Sequence, residues 1–466
     1  MTDIAAEQIA QQRWTARLRQ TVQTYDDLLE REFEDPERRL ARNMQTLSKI
    51  LRFASTHVPF YRGLFKRIGA DPNDPDVFSK LPILRKLDLR DNESAFHAER
   101  LLEGEKVGPE AKSSGTTGMP VRIRHTLRSD RMFALLKQRE YRWFRFDPGG
   151  TLALIRPPRT LVKHPDGSLL AEGEEIRLGS WPGIGRDFST GPAMAFSILS
   201  PPEHQITWLR HILPDHLLAY AAALEHLALT AGDQPPCKSL KGVLAIAEQL
   251  TPDMRAHVER SFGVPIDQNY GLNEIGLVAG RCEAGRYHVH SEHCLVEIVH
   301  DDGSAAAPGE TGRLVVTGLS NLAMPLIRYD ADDLARAVDG PCACGRTLPS
   351  FGDIVGRYSR LAFLPERSFA MLEAVRATIL KMPPDEIRNL RQFQLHQFRD
   401  GHFELRLLVH APLPDAFAEH VKTAWAKAAR SSEQVLLLRY VDAIERSPGG
   451  KYQVFTSDFM PAADRA

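Results

Sequence analysis

One run of small and hydroxyl-bearing residues could bind phosphate groups. It reads Ser113-Ser114-Gly115-Thr116-Thr117-Gly118-Met119-Pro120. Glycine lets the backbone approach a ligand closely, and the hydroxyls add donors to the backbone N–H groups, so such a loop can close over phosphate oxygens. It lacks the Gly-Lys-Ser/Thr ending of a Walker loop. Taken alone, a polar surface turn explains the run equally well.

A second run, Asn269 to Glu274, combines an aromatic ring, a glycine turn and a carboxylate after an apparent strand. Tyr270 could stack on adenine, and Glu274 could hold Mg²⁺ on phosphates. Residues 325–334 place acidic groups at the end of another apolar run, where one carboxylate could accept both ribose hydroxyls. Each segment, read separately, is also compatible with an ordinary strand-end turn.

The elements that must position these residues alternate in type. Between about residues 120 and 280, the sequence predicts strands at Thr151–Ile155 and Gly242–Ile246 and helices at Trp208–Leu213 and Thr251–Phe262. This alternation indicates an α/β sheet. A helical region, about Thr15 to Ser55 with a break at Pro36, precedes it.

Beyond Gly280 the pattern changes to shorter elements. They are strands at Cys294–Val299 and Arg313–Thr317, a hairpin over Gln392–His410, a helix at Asp415–Ala429, a strand at Val435–Val441 and a glycine-rich loop at Ser447–Lys451. We place a boundary near Gly356-Arg357, which divides the chain into a large domain (residues 1–356) and a smaller α+β domain (residues 357–466).

Composition excludes several classes of protein. The chain has 466 residues, of which 43% are hydrophobic, and a formal net charge of −1, which offers no electrostatic footprint for nucleic acid or anionic lipid. No apolar run approaches the roughly 18 residues that span a bilayer. Five cysteines do not form a disulfide framework. With no export signal at the N-terminus, we expect a cytoplasmic protein without nucleic-acid or membrane partners.

The motifs, taken in order, resemble those of the adenylate-forming superfamily, and most closely its phenylacetate–CoA ligase-like branch. The resemblance runs from about residue 45 to the C-terminus. The matching segments are the loop at 113–118, Tyr270–Glu274, Gly309–Leu314, Arg328-Tyr329 with Asp333, Gly356-Arg357, Gly450-Lys451, Pro59–Arg62, Leu81-Pro82 with Lys86 and Arg90, Cys342–Arg346 and Gln392–Gln394.

This resemblance implies a fold and an activity. The fold would be α/β, with a large N-terminal adenylating domain (α/β sheets plus a small β-barrel-like part) and a smaller, mobile α+β C-terminal domain. The enzyme would use ATP and Mg²⁺ to convert a small-molecule carboxylic acid to acyl-AMP and pyrophosphate. A thiol or amine acceptor would then take the acyl group. Coenzyme A is the expected acceptor, with a carrier-protein thiol or an amine as alternatives, and a homodimer is the assembly to test.

The resemblance also implies a role for individual residues. Ser113, Ser114, Gly115, Thr116, Thr117 and Gly118 would hold the triphosphate, with Ser114 to Gly118 around the β- and γ-phosphates. Glu248 would border the adenine pocket, Tyr270 would stack on adenine, Asn273 would lie near the α-phosphate and Glu274 would bind Mg²⁺. Gly271 would be a further residue of the cofactor-binding site. Asp333 and Arg357 would hold the ribose.

Lys451 would be the catalytic cation, brought in by the C-terminal domain. An attacking carboxylate and a triphosphate repel each other, so a buried cation between them stabilises the in-line transition state. Three positions depart from the family pattern. Met119 replaces a usual Lys, for which Arg122 or Arg124 could substitute. Asn273 replaces a usual Thr, and Tyr358-Ser359-Arg360 stands where acidic hinge residues are common.

Four residues would form a structural zinc site. Cys282 and His288 are six positions apart, and Cys342 and Cys344 supply a second pair. Thiolates and imidazole suit tetrahedral Zn²⁺, and some members of the branch carry such a metal. His290 and Cys294 are substitute ligands. Unrelated buried thiols are the alternative.

The identity of the acid is not evident, although the family mildly favours an aromatic acid. Tyr141, Trp143 and Phe144 are candidates to line its pocket, together with the residues flanking Tyr270. A different class of function is also compatible with the motifs, namely a non-catalytic, zinc-stabilised protein that keeps the nucleotide pocket.

Overall fold

The structure, a computed structural model, describes residues 20–112, 121–156, 164, 170–232, 234–248, 250–357, 370–400, 402–429, 435–444 and 455–458. The helices are α1 (residues 20–30), α2 (Pro36–His57), α3 (Pro59–Ile68), α4 (Val77–Lys80), α5 (Lys86–Asp91), α6 (Leu127–Trp143), α7 (Pro202–Ile212), α8 (Ala221–Ala231), α9 (Pro252–Phe262), α10 (Ala370–Lys381), α11 (Pro384–Ile387) and α12 (Asp415–Ala429).

The strands are β1 (Val107–Lys112), β2 (Arg122–Thr126), β3 (Leu152–Arg156), β4 (Glu175–Leu178), β5 (Ala193–Ser197), β6 (His216–Tyr220), β7 (Gly242–Ile246), β8 (Ile266–Leu272), β9 (Gly276–Arg281), β10 (Tyr287–Val289), β11 (Cys294–Val299), β12 (Thr311–Gly318), β13 (Tyr329–Arg336), β14 (Ser350–Phe351), β15 (Ile354–Arg357), β16 (Leu390–Gln397), β17 (Phe403–Val409), β18 (Leu436–Tyr440) and β19 (Phe455–Ser457). These sheets and helices confirm the α/β fold class.

The first compact unit comprises Met1–Asp147, Pro182–Thr190 and Asn269–Val355. Strands β8, β9, β10 and β14 pair antiparallel in that order. Strands β11, β12, β13 and β15 form a four-stranded sheet, which occupies the place of the expected barrel-like part. Side chains of α2 and α3 pack with these strands in one apolar core.

The second compact unit comprises Pro148–Trp181, Gly191–Gln268 and Gly356–Ala466. Strands β5, β3, β6 and β7 are parallel, with β4 antiparallel at the edge and the first residues of β8 parallel to β7. Strands β3, β6 and β7 read as continuous apolar runs because the whole of β6 and β7, and all of β3 but its last residue, is buried.

The C-terminal residues of the second unit form their own four-stranded sheet, ordered β18-β17-β16-β19. Leu229 of α8 belongs to the same core cluster as Val375, Phe403 and Trp425. The division of the chain at residue 356 into an adenylating domain and a mobile lid stays a prediction.

Helix α6 shows how the sequence places an element beside the candidate site. Its N-terminus is a capping box, in which the Thr126 hydroxyl accepts from the Ser129 N–H at 3.1 Å and the Ser129 hydroxyl accepts from the Thr126 N–H at 3.0 Å. Both residues are buried. Among the residues that the structure describes, no helix has the length and apolar character needed to cross a bilayer.

Candidate functional site

Tyr270 and Asp333, far apart in the sequence, meet in the first unit. The Tyr270 hydroxyl donates to Oδ2 of Asp333 at 2.7 Å. Tyr270 lies on β8 and is 8% exposed, and Asp333 is half-buried on β13. An aromatic ring beside a carboxylate that accepts hydroxyl donors suits the base and sugar of a nucleoside.

Glu274 follows β8 and faces a cation and a phenol. It is 7% exposed, and the Nζ atom of Lys86 lies 3.7 Å from its Oε1. Burial and the neighbouring Glu274 carboxylate raise the pKa of Tyr329 well above its usual value, so Tyr329 stays a neutral hydroxyl donor toward Glu274. The buried Glu274 carboxylate forms a salt bridge through Oε1, and carboxylate oxygens are ligands that suit Mg²⁺.

Gly271, near the end of β8, and Asn273, in the turn that follows, are both exposed. A Cβ atom at position 271 would lie 2.9 Å from the carbonyl oxygen of Gly276, so only glycine allows the two strands to approach there. The structure therefore brings Tyr270, Gly271, Glu274 and Asp333 into one region of the first unit.

Glu248 lies in the second unit, just after β7. Its Oε2 accepts from the backbone N–H of Ala222 at 2.9 Å, at the start of α8. The preceding residue, Ala247, has a φ of 63°, a left-handed conformation that costs a non-glycine residue about 1–2 kcal/mol. Strained backbone of this kind is concentrated at functional sites, and here it immediately precedes Glu248.

Several predicted residues lie outside the part of the chain that the structure describes. They are the phosphate-loop residues Ser113, Ser114, Gly115, Thr116, Thr117 and Gly118, together with Met119, Lys451 and the hinge residues 358–360. Arg357 ends β15 in the backbone. Arg122 and Arg124, the two candidates to replace a missing lysine, instead form ion pairs with Glu93 and Glu110, at 3.1 Å and 3.4 Å respectively.

The four predicted zinc ligands come together in the first unit. The ligand atoms of Cys282, His288, Cys342 and Cys344 lie within 4.8 Å of one another. The Sγ atoms of Cys282 and Cys342 are 3.6 Å apart, and Nε2 of His288 is 3.2 Å from Sγ of Cys344. Nδ1 of His288 donates to the carbonyl of Leu348 at 3.1 Å, which leaves Nε2 as a ligand atom.

This donor set fits one metal ion. Three thiols and one imidazole provide four soft or borderline ligands, the number and kind that tetrahedral Zn²⁺ takes in structural sites. The substitute ligands point elsewhere: His290 hydrogen-bonds to Glu140 at 3.0 Å, and the Cys294 thiol donates to the carbonyl of Val278 at 3.7 Å.

The aromatic residues expected to line an acid pocket are buried in protein contacts. Tyr141 stacks on Phe146 at a centroid distance of 5.5 Å. Trp143 packs against His290 at 5.5 Å and beneath the Arg346 guanidinium at 4.7 Å. These contacts do not test the expectation, which stays a prediction.

Sequence reasoning did not assign Lys86 or Tyr329 a role at the site. Lys86 belongs to α5 and Tyr329 to β13, and both reach Glu274 only through tertiary folding. The numbers of residues that separate them from Glu274 follow no helix or strand period. The sequence offered a hint of each only through the resemblance, which matched Lys86 with Leu81-Pro82 and Tyr329 with Arg328.

The chain is similar to known proteins in both sequence and structure. No protein-family model matches the chain. The phenylacetate–coenzyme A ligase of Thermus thermophilus is 30% identical over 332 residues, covering 67% of this chain and 69% of that protein. The protein of the same name from Escherichia coli is 31% identical over 326 residues, covering 67% and 70%.

Solved structures share the fold. A 2-hydroxyisobutyryl-CoA ligase, crystallised in its postadenylation state with R3-HIB-AMP, superposes with a TM-score of 0.70 at 17% identity, covering 92% of this chain and 91% of that one. An anthranilate CoA ligase in complex with anthranoyl-AMP superposes with a TM-score of 0.53 at 13% identity, covering 77% and 69%.

Proposed function

The chain belongs to the phenylacetate–coenzyme A ligase family of adenylate-forming enzymes, and from this premise we propose that it activates a carboxylic acid as acyl-AMP and transfers the acyl group to the thiol of coenzyme A. The relatives are named as phenylacetate–CoA ligases. An aromatic acid is therefore the first substrate class to test. The observation that carries the proposal is the meeting of Tyr270, Asp333 and Glu274 in one region.

Each of these residues would do a separate task. The Tyr270 ring would stack on adenine, and Asp333 would accept the ribose hydroxyls. The Glu274 carboxylate would hold Mg²⁺, which when bound neutralises phosphate charge. Lys86, 3.7 Å from Glu274, would contribute a further positive charge toward the phosphates.

Several residues outside this region complete the proposal. Glu248 would border adenine, Asn273 would hydrogen-bond near the α-phosphate, and Arg357 would reach the ribose. The loop Ser113–Gly118 would enclose the β- and γ-phosphates. Lys451 would join the carboxylate and α-phosphate oxygens while the new bond forms, because a cation between two anions lowers the barrier to their approach.

We further propose that residues 357–466 act as a lid that carries Lys451 and turns between the two half-reactions. The departure at residues 358–360 bears on the acceptor half-reaction, which depends on rotation of this lid, more than on adenylation. The departure at Met119 removes one contact to the phosphates instead. A cytoplasmic location and a homodimeric assembly stay predictions.

Pyrophosphate exchange tests the first half-reaction. Wild type, incubated with ATP, labelled pyrophosphate and a panel of acids that includes phenylacetate, should exchange label with at least one acid. Lys451→Ala should lower the exchange rate by about 100-fold or more, because the transition state loses a preorganised charge. Lys381→Ala, the loss of an exposed lysine of the same C-terminal region, is the matched control and should exchange at the wild-type rate.

The outcomes separate the functional classes. A protein that binds ATP but exchanges with no acid would be the non-catalytic binding protein instead. With an active acid in hand, product analysis after adding coenzyme A, an amine or a carrier protein identifies the acceptor. Acyl-CoA is the expected product, and an amide formed in its place would overturn the acceptor assignment.

We also propose that Cys282, His288, Cys342 and Cys344 bind one structural Zn²⁺. A closed four-ligand site leaves no position for a reacting water, so its role would be to stabilise the fold. Metal analysis of the purified protein should give about one zinc per chain. Cys342→Ser should lose most of it and unfold at a lower temperature, whereas Cys237→Ser, a buried thiol outside the cluster, should keep its zinc. Unchanged stoichiometry in Cys342→Ser would remove the assignment.

A further inference from the structure

A buried polar cluster lies beside the residue that precedes Tyr270. Its members come from three elements: Lys137, Arg139 and Glu140 of α6, Asn269 of β8, and His290 and Glu292 of the β10–β11 connection. Arg139, Glu140 and His290 are fully buried. Burying charged groups in this way lowers the stability of the fold unless each group is paired and hydrogen-bonded.

Each hydrogen bond in the cluster has one possible direction. The Arg139 guanidinium can only donate, so it donates to Nδ1 of His290 at 2.7 Å. The proton of the neutral imidazole is therefore on Nε2, which donates to Oε1 of Glu140 at 3.0 Å. Oε2 of Glu140 accepts from Lys137 at 3.2 Å and from the Asn269 amide at 2.7 Å.

The charges in the cluster balance. Glu292 receives two hydrogen bonds from Arg139, both at 3.2 Å, while Lys137 pairs with Glu140. Burial opposes ionisation of Glu140, but Lys137 and His290 outweigh it and lower the pKa of the carboxyl. Glu140 is thus an anion that holds three donors.

The backbone near Asn269 explains why a side-chain contact matters there. Asn269 pairs with Gly280 and Tyr270 with Ala279, but the ladder between β8 and β9 shifts register between Tyr270 and Gly271. The shift skips Val278, so the extra residue belongs to β9, and a bulge of this kind disrupts the ladder locally. The pairs of Asn269 and Tyr270 lie on the N-terminal side of this shift, and pairing resumes beyond it at Gly271 and Leu272. The Asn269 amide, bound to Glu140, adds a side-chain contact on the N-terminal side.

Helix α6 approaches this strand pair closely because position 280 has no side chain. A Cβ atom at Gly280 would lie 2.9 Å from the Trp143 ring and 3.6 Å from Cγ of Glu140. Contacts under 3.0 Å do not occur without displacement, so any larger residue would move α6 away from β8 and β9. The absence of a side chain at position 280 and the hydrogen bond between Asn269 and Glu140 thus each favour, independently, the close packing of α6 on β8 and β9.

We propose that Glu140 is a positioning residue for nucleotide binding, which holds the Asn269 amide and so fixes the end of β8 that presents Tyr270 and Glu274. The inference rests on the proposed roles of Tyr270 and Glu274 in binding ATP. Glu140 touches no substrate in this account. It acts through Asn269 on the position of the aromatic ring.

Asn269→Ala is the decisive variant, because it removes the link while Glu140 keeps Lys137 and His290 as partners. We expect the Kd for ATP, by calorimetry, and the KM for ATP in pyrophosphate exchange to rise about tenfold, the size expected for loss of a hydrogen bond to a charged group. The KM for the acid should change less than about twofold. Asn43→Ala, the same substitution at a buried position of α2, should leave both ATP constants unchanged.

Gly280→Ala perturbs the same contact without removing a polar group. Its Kd for ATP should rise in the same direction as that of Asn269→Ala. Replacing Glu292 by Gln affects the part of the cluster that does not reach Asn269. That variant should melt at a lower temperature yet bind ATP with the wild-type Kd when measured below its melting transition.

Tyr270→Ala makes the failure of this inference distinguishable from failure of the proposed function. If Tyr270→Ala weakens ATP binding but Asn269→Ala does not, the positioning role is wrong and the nucleotide site stands. If wild type and Tyr270→Ala bind ATP equally, the site assignment itself fails. If Asn269→Ala raises the KM for ATP and acid alike with a large loss of thermal stability, the cluster is structural only.

Discussion

A single buried imidazole gives the first unit a measurable dependence on pH. Nε2 of His293 donates to the carbonyl of Ile275 at 2.9 Å, and Nδ1 accepts from the Ser320 hydroxyl at 2.6 Å. Burial lowers the pKa of His293 to about 4, so the folded protein holds this ring neutral where an exposed histidine would bind a proton. Both ring nitrogens are engaged, so a second proton, on Nδ1, would require the Ser320 hydroxyl to turn and accept instead of donate.

We therefore expect acid to destabilise the protein through His293. Between pH 6.5 and about 4 the unfolded chain binds a proton that the folded chain does not, so the free energy of unfolding falls as the pH is lowered through this window. The loss should approach about 3 kcal/mol at its lower end. Urea unfolding at about pH 7 and about pH 5 checks it. The drop should be smaller in His293→Gln, and an identical drop in both proteins would contradict the assignment.

Single residues also mark the limit of sequence reasoning. Residue type and position in the sequence were sufficient to propose nucleotide binding by Tyr270, Glu274 and Asp333 and metal binding by the four candidate zinc ligands. The hydrogen bond from Tyr270 to Asp333 and the ion pair of Lys86 with Glu274 were not predictable, because each joins elements distant in the chain.

At the scale of elements, the residues that cap helix N-termini help to fix where each helix begins. Replacing Thr126 by Ala removes the hydroxyl that caps α6 and leaves the Ser129 N–H buried without it. We expect a loss of about 1–2 kcal/mol in the free energy of unfolding. Thr56→Ala, at an exposed position inside α2, is the matched control and should be neutral or slightly stabilising, because alanine is the better helix former. Equal losses in both variants would contradict the capping account.

Elements with strong local signals were predicted to the residue. Strands Gly242–Ile246 and Cys294–Val299 and helix Asp415–Ala429 have the predicted bounds. Helix α7 begins at Pro202, six residues before the predicted start at Trp208. Its first turn contains Glu203 and His204, which give no apolar period, and proline is well suited to the first helical position.

Sheet order was beyond the sequence. The alternation of strands and helices predicted an α/β sheet, but the order β7-β6-β3-β5 depends on which buried runs pair, and several apolar runs are interchangeable by composition.

At the scale of the whole molecule, the C-terminal residues are joined to α8 within the second unit by a buried ion pair. Arg376 donates to both oxygens of Glu225, at 3.2 Å and 3.0 Å, and the two side chains are 6% and 1% exposed. Any rotation of residues 357–466 away from α8 would have to break this pair. The proposed lid therefore has a defined contact to release.

Glu225→Gln should strongly destabilise the protein, because it removes the carboxylate that pairs with the buried Arg376 guanidinium. We expect a loss of about 3–5 kcal/mol in the free energy of unfolding. Glu203→Gln, which affects the more exposed pairs with Arg391 and His410, should cost less than about 1 kcal/mol. Chemical denaturation followed by tryptophan fluorescence compares the two, and equal costs would show that burial of the Arg376 pair contributes nothing.

The 3.6 Å between the sulfur atoms of Cys282 and Cys342 has a practical consequence for anyone who handles this protein. An ion that engages both sulfurs also shields them from oxygen, whereas a chelator in the purification buffer would leave two neighbouring thiols open to air oxidation. Preparations of one and the same sequence would then age differently. Shelf life, compared with and without chelator and reductant, would report the history of the sample.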